Sequence, residues 1–173
     1  MYNIFDLIIA KTAFIISFSK LNFFFGEIMT KREQAMQNFK NGYNCAQAVL
    51  LAFSDELEID EKTLALISSS FGGGMGRMRE VCGAVSGMFM VAGLKYGYSD
   101  PSAKQEKAEL YALVQNLAAG FKEKNGSIIC KELLGVSDTS PTPEPRTAAY
   151  YKKRPCVELV GDAAELLENL SGK

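Results

Sequence analysis

The chain contains no histidine, and that absence alone removes a large part of protein chemistry. Without imidazole there is no Ser-His or Cys-His nucleophile pair, no histidine general base, and no histidine-ligated zinc, haem or carboxylate-bridged di-iron site. Thiol, carboxylate, amine and hydroxyl chemistry remain. Tryptophan is absent too. Runs of like charge are missing: 19 Lys and Arg stand against 20 Asp and Glu, interspersed, which excludes a broad footprint for nucleic acid or an anionic membrane surface. The four cysteines, Cys45, Cys82, Cys130 and Cys156, lie far apart, so there is no CxxC and none of the closely spaced ligand pairs of zinc ribbons and ferredoxins. No segment alternates apolar and polar residues as a half-buried strand would.

What is present is a helical, apolar chain. Its 173 residues, 47% of them hydrophobic, suit one domain with a core that needs no disulfide staples. The expected architecture is all-α, a compact multi-helix bundle around a central apolar helix at about 79–97, over residues 29–173. Residues 1–28 form an apolar N-terminal extension. Asp6, Lys11 and Lys20 interrupt it, short of the roughly 18–20 uncharged residues of a spanning helix, and it lacks the positive start and small-residue cleavage site of an export signal. It reads as an extension preceding a start at Met29, as a membrane anchor, or as an extra packed helix, so membrane contact is expected only if 1–28 belongs to the native protein. Without an export signal, the thiols are expected in the reducing cytoplasm.

Taken in order, Thr30 begins a helix that Asn41-Gly42 breaks. Asn44 then caps a second, with Gln47 completing a capping box and Cys45 in the first turn. Asp60 caps a third, which runs into Ser68-Ser69-Ser70 and the glycines of 72–76. The apolar helix follows from about Arg79 to Tyr96, where Gly83, Gly87 and Gly93 each weaken helix propensity by about 1 kcal/mol and call for close packing or a ligand. Asp100-Pro101 reads as the opening of an amphipathic helix that stops at Asn125-Gly126. A short helix from Ser127 holds Cys130 in its first turn. Residues 136–155 read as a long proline-bearing loop, delivering Cys156 to the head of a last helix.

All four cysteines therefore fall at predicted helix starts, where free N–H groups and the helix dipole stabilise a thiolate and lower its pKa. Arg77 and Arg79 near Cys82, and Lys152, Lys153 and Arg154 before Cys156, are expected to act in the same direction. The thiolate is the form that attacks disulfides and binds metals. The plain alternative is that these are small buried hydrophobes with no chemistry. The glycine run is not a phosphate cradle, since no GxGxxG register or Walker Lys-Ser/Thr can be drawn through it. The acidic pairs Glu106/Glu109 and Glu165/Glu168 read as solvated helix faces.

Asn44-Cys45-Ala46-Gln47-Ala48, then Gly72-Gly73-Gly74-Met75-Gly76, then Cys82-Gly83-Ala84-Val85-Ser86-Gly87, then Cys130 in its Leu-Leu-Gly context and Cys156, resemble the C_GCAxxG_C_C family of redox-active proteins, from about Lys31 to Cys156 and beyond. The motif order here is Cys82-Gly83-Ala84, where the family label writes glycine before cysteine. The resemblance implies a small redox protein whose functional residues are Cys45, Cys82, Cys130 and Cys156, often associated with transport loci, and it names no reaction. Three readings follow. In the first, the thiols cycle between thiol and disulfide against an unidentified redox partner, as in a thiol-disulfide oxidoreductase, with Cys82 attacking and Cys45 resolving. In the second, Cys45, Cys82, Cys130 and Cys156 together ligate zinc or an iron-sulfur cluster. In the third, the domain is structural and its cysteines are inert.

Overall fold

The computed structural model describes residues 29–171, so the readings made for residues 1–28 lie outside the described residues. Eight helices follow one another: α1 (Lys31–Lys40), α2 (Cys45–Ala52), α3 (Glu61–Ser68), α4 (Gly83–Tyr96), α5 (Lys104–Asn125), α6 (Cys130–Leu134), α7 (Ala148–Lys153) and α8 (Cys156–Ser171). Single 3-10 turns occupy Ser54–Glu56 and Ser69–Phe71. The fold is all-α. Among the described residues the nearest approach to a strand is an isolated antiparallel bridge between Val81 and Ile129.

The helix starts obey capping chemistry. Thr30 caps α1 reciprocally with Glu33, and Asn44 caps α2 reciprocally with Gln47, satisfying amides that the first turn leaves without partners. Asp60 accepts from the Thr63 amide at α3, and Thr147 from the Tyr150 amide at α7. Gly126 and Gly135, both with positive φ, end α5 and α6.

Three expected boundaries are corrected. The apolar helix begins at Gly83, four residues after Arg79, because 77–82 is drawn into hydrogen bonds with other segments. Asp100-Pro101 does not open α5. The Asp100 carboxylate instead accepts from the amide and hydroxyl of Ser102 in a local turn, and the helix starts at Lys104. The loop at 136–155 contains the short helix α7.

α1 packs along α8 and α2, α2 crosses α4, and α4 is flanked by α5 and α8. Phe39, Leu50, Phe53, Leu64, Met88, Phe121 and Val160 are fully buried between them, each contributing about 1.5–3 kcal/mol by leaving water. α4 encloses Gly83 to Met88 with Val91 and Ala92, and α2 is buried over nearly its whole length. The two helices touch through glycine. A Cβ on Gly87 would stand 2.6 Å from the Ala46 carbonyl oxygen, and one on Gly83 would stand 3.0 Å from Cys45 Cβ, so this crossing admits no side chain at either position. Among the described residues no helix is long and apolar enough to cross a membrane.

Candidate functional site

The four cysteines occupy equivalent local positions on four different helices. Cys45, Cys130 and Cys156 are the first residues of α2, α6 and α8, and Cys82 is the N-cap of α4. Backbone pairing joins two of these starts directly: the Cys82 amide donates to the Ile128 carbonyl at 2.8 Å, and the Cys130 amide to the Glu80 carbonyl at 2.6 Å. All four line one cavity of about 440 Å³, within the usual range for a small-molecule site.

The glycine run forms the wall of that cavity. From Gly73 to Arg77 five consecutive residues have φ between 57° and 73°, and Arg79 has φ 64°. Met75, Arg77 and Arg79 thus hold a left-handed backbone that L residues with side chains avoid, at about 1–3 kcal/mol each. Gly74 shows why the bend needs glycine, since a Cβ there would stand 2.6 Å from Cys130 Cβ. The strain is held by contacts with 138–140. Arg77 donates to the Ser140 carbonyl and pairs with Asp138, and Arg79 Nε donates to the Asp138 carbonyl at 2.7 Å.

The expected lowering of the thiol pKa values is overturned for three of the four. Cys82, Cys130 and Cys156 are only 4%, 5% and 7% exposed, while Cys45 is half-buried. Cys45 is held well above the usual thiol range, first by its hydrogen bond with the Cys156 thiol and then by burial, with Arg146 and the Gly73 backbone opposing. Burial pushes Cys82 up strongly and neighbouring Cys45 adds to it, although the Ala84 and Val85 amides pull the other way. Burial also raises Cys130 against the pull of Arg79, which lies against it. At Cys82 and Cys130 the desolvation of an anion is the largest influence. Tyr150 stands beside Cys45 and Cys156, its hydroxyl raised by burial and then by the two sulfurs.

The cations of the site differ in part from those expected. Lys152 and Lys153 are exposed and do not line the cavity, whereas Arg77, Arg79, Arg146 and Arg154 do. Arg79 acts on Cys130 rather than Cys82. Arg154 pairs with Glu144 and lies 5.1 Å over the Tyr150 ring. Arg146 was not singled out in the sequence. It donates to the Phe39 carbonyl at 2.6 Å and sits 4.4 Å over the Phe39 ring, a placement that no local motif announces. Among the described residues no group of three or more Cys, Asp or Glu side chains is arranged to hold a metal ion. All four cysteines are free thiols.

Residues 43–170 match the family model described as "Putative redox-active protein (C_GCAxxG_C_C)". No curated protein and no solved structure matches the chain.

Proposed function

The chain belongs to the C_GCAxxG_C_C family, and from that premise we propose that it is a thiol-disulfide redox protein whose working pair is Cys45 and Cys156. The observation that carries this reading is that Cys45, only half-buried, neighbours Cys156 at the wall of a cavity lined by all four cysteines. Cys45 is the most accessible of the four, so it meets the incoming sulfur, and Cys156 closes the disulfide. This reverses the roles expected from the sequence, in which Cys82 attacked and Cys45 resolved. Cys82, deep in the cavity and strongly disfavoured as a thiolate, fits the part of a second, later electron donor with Cys130. Raised pKa values slow attack at neutral pH, because only the thiolate is nucleophilic, so a substrate or partner that supplies positive charge or binding energy at the site is part of the proposal. So are a cytoplasmic setting that returns the pair to thiols and the association with a transport system implied by the family.

The test is peptide mapping of the full chain after mild oxidation, with free thiols alkylated before and after. A Cys45–Cys156 linked peptide that disappears on reduction is expected, with Cys82 and Cys130 alkylated in the first-formed product. Oxidation that leaves Cys45 and Cys156 free, or that is unaffected by Cys156→Ser, would sink the assignment. A metal retained through native mass spectrometry would favour the ligation reading instead.

A further inference from the structure

We propose that the cavity is built for a small disulfide carrying carboxylates on either side of its sulfur–sulfur bond; this rests on the thiol-disulfide reading above and names the substrate class for it. Four guanidiniums, those of Arg77, Arg79, Arg146 and Arg154, face the cavity against the single carboxylate of Glu144. Arg154 is neutralised by Glu144, and Arg77 by Asp138. Arg79 and Arg146 have no carboxylate partner among the described residues; each donates to a backbone carbonyl, and Arg79 also lies against the Cys130 thiol. Arg79 is 2% exposed, and its Nη2 has no hydrogen-bond partner among the described residues. A buried cation left in that state is costly unless an anion completes it.

The two uncompensated cations bear on different sulfurs. Arg146 acts on Cys45, and Arg79 on Cys130. An anion at each would hold a substrate across the thiols, with its disulfide between them, and planar guanidiniums are suited to carboxylates. The neighbouring Cys130 thiol is a poor source of this anion, because burial disfavours its charged form.

The reaction balances without a further component. The Cys45 thiolate attacks one substrate sulfur, forming a mixed disulfide and expelling the other half as a thiolate, which takes up the proton Cys45 gave up. Cys156 then attacks Cys45 Sγ, forming the protein disulfide and releasing the second half as a thiol. The two protein thiols are oxidised, and the substrate disulfide is reduced to two thiols.

Three disulfides of similar size test the assignment on the reduced full chain: dithiodiglycolate, hydroxyethyl disulfide and cystamine, which are anionic, neutral and cationic. Oxidation of Cys45 and Cys156 is followed by quenching and peptide mapping. The anionic disulfide is expected to react about tenfold faster than the cationic one at low salt, with the ratio falling as ionic strength rises. Arg146→Gln, a half-buried residue on the largely exposed 136–155 segment, and the buried Arg79→Gln are each expected to bring the three rates together; circular dichroism reports whether each variant folds, and Arg146→Gln carries the test if Arg79→Gln does not. Three equal rates in the native chain overturn the substrate class and leave the redox reading standing. No reaction of Cys45 and Cys156 with any of the three overturns both.

Discussion

At the scale of single residues, the site is a contest between burial and charge. A thiol at a helix start is favoured as thiolate, but Cys82 and Cys130 are so enclosed that desolvation wins at both. Cys45 differs in that its largest influence is another thiol. Ionising both members of the pair would place two like charges in contact, so removing Cys156 removes the first cause of the upward shift. Cys156→Ala is therefore expected to move the pH profile of Cys45 alkylation to lower pH, with faster alkylation at neutral pH, measured by iodoacetamide labelling and peptide mapping. A profile that stays where it was would mean that burial alone governs Cys45. The presence of cysteine at four helix heads was legible in the sequence because Asn44, Pro155 and the glycines announce those boundaries locally. Which thiols neighbour one another was not, because that depends on how α2 and α8 are brought together by α1 and the core.

At the scale of elements, α4 and the loop before it fix the cavity's shape. The α2–α4 crossing brings the backbones together at Gly83 and Gly87, whereas Gly93, in the same helix, has nothing within 4 Å of where a Cβ would be. Glycine is less favourable than alanine in a helix by about 1 kcal/mol, so the two positions should respond in opposite directions. Gly93→Ala is expected to stabilise the protein by up to about 1 kcal/mol. Gly87→Ala should destabilise it by about 1–3 kcal/mol through overpacking against the Ala46 carbonyl. Urea denaturation midpoints of the two variants decide this, and stabilisation by Gly87→Ala would show that the crossing yields at little cost. Close packing at Gly83 and Gly87 could be anticipated from bare positions in an apolar helix, while Gly93 had the same residue type without the same reason. The left-handed run from Gly73 to Arg77 could not be anticipated. Met75 and Arg77 have no intrinsic preference for it; Arg77 is held there by Asp138 and Ser140, more than sixty residues along the chain, and Arg79 read equally well as the start of α4.

At the scale of the whole molecule, α8, which carries Cys156, is tied to α1 and α5 by charge. Asp162 of α8 is 5% exposed and pairs with Arg32 of α1 and, at 2.9 Å, with Lys124 of α5. Its acidic neighbours Glu158 and Glu165 share Arg32, and Glu165 shares Lys124. Burial alone would raise the Asp162 carboxyl, but the hydrogen bonds from Lys124 and Arg32 prevail and hold it below the usual range. Glu56 is lowered in the same way, with burial opposed by Lys95 and Lys31. The sign of the linkage follows. A carboxyl depressed in the folded state binds its proton more readily when unfolded, so its stabilisation is fully present above the unfolded value, about 4, and is lost as pH falls through the folded value. Denaturation midpoints measured from pH 7 downward should fall below about pH 4. Asp162→Asn is expected to cost about 2 kcal/mol at neutral pH, the order of a charge-assisted hydrogen bond, and to flatten the acid limb in proportion, because the amide has no proton to bind. An acid limb of the same steepness in that variant would assign the pH dependence to other carboxylates. In that case the joint between α1, α5 and α8 would depend on their packed apolar faces.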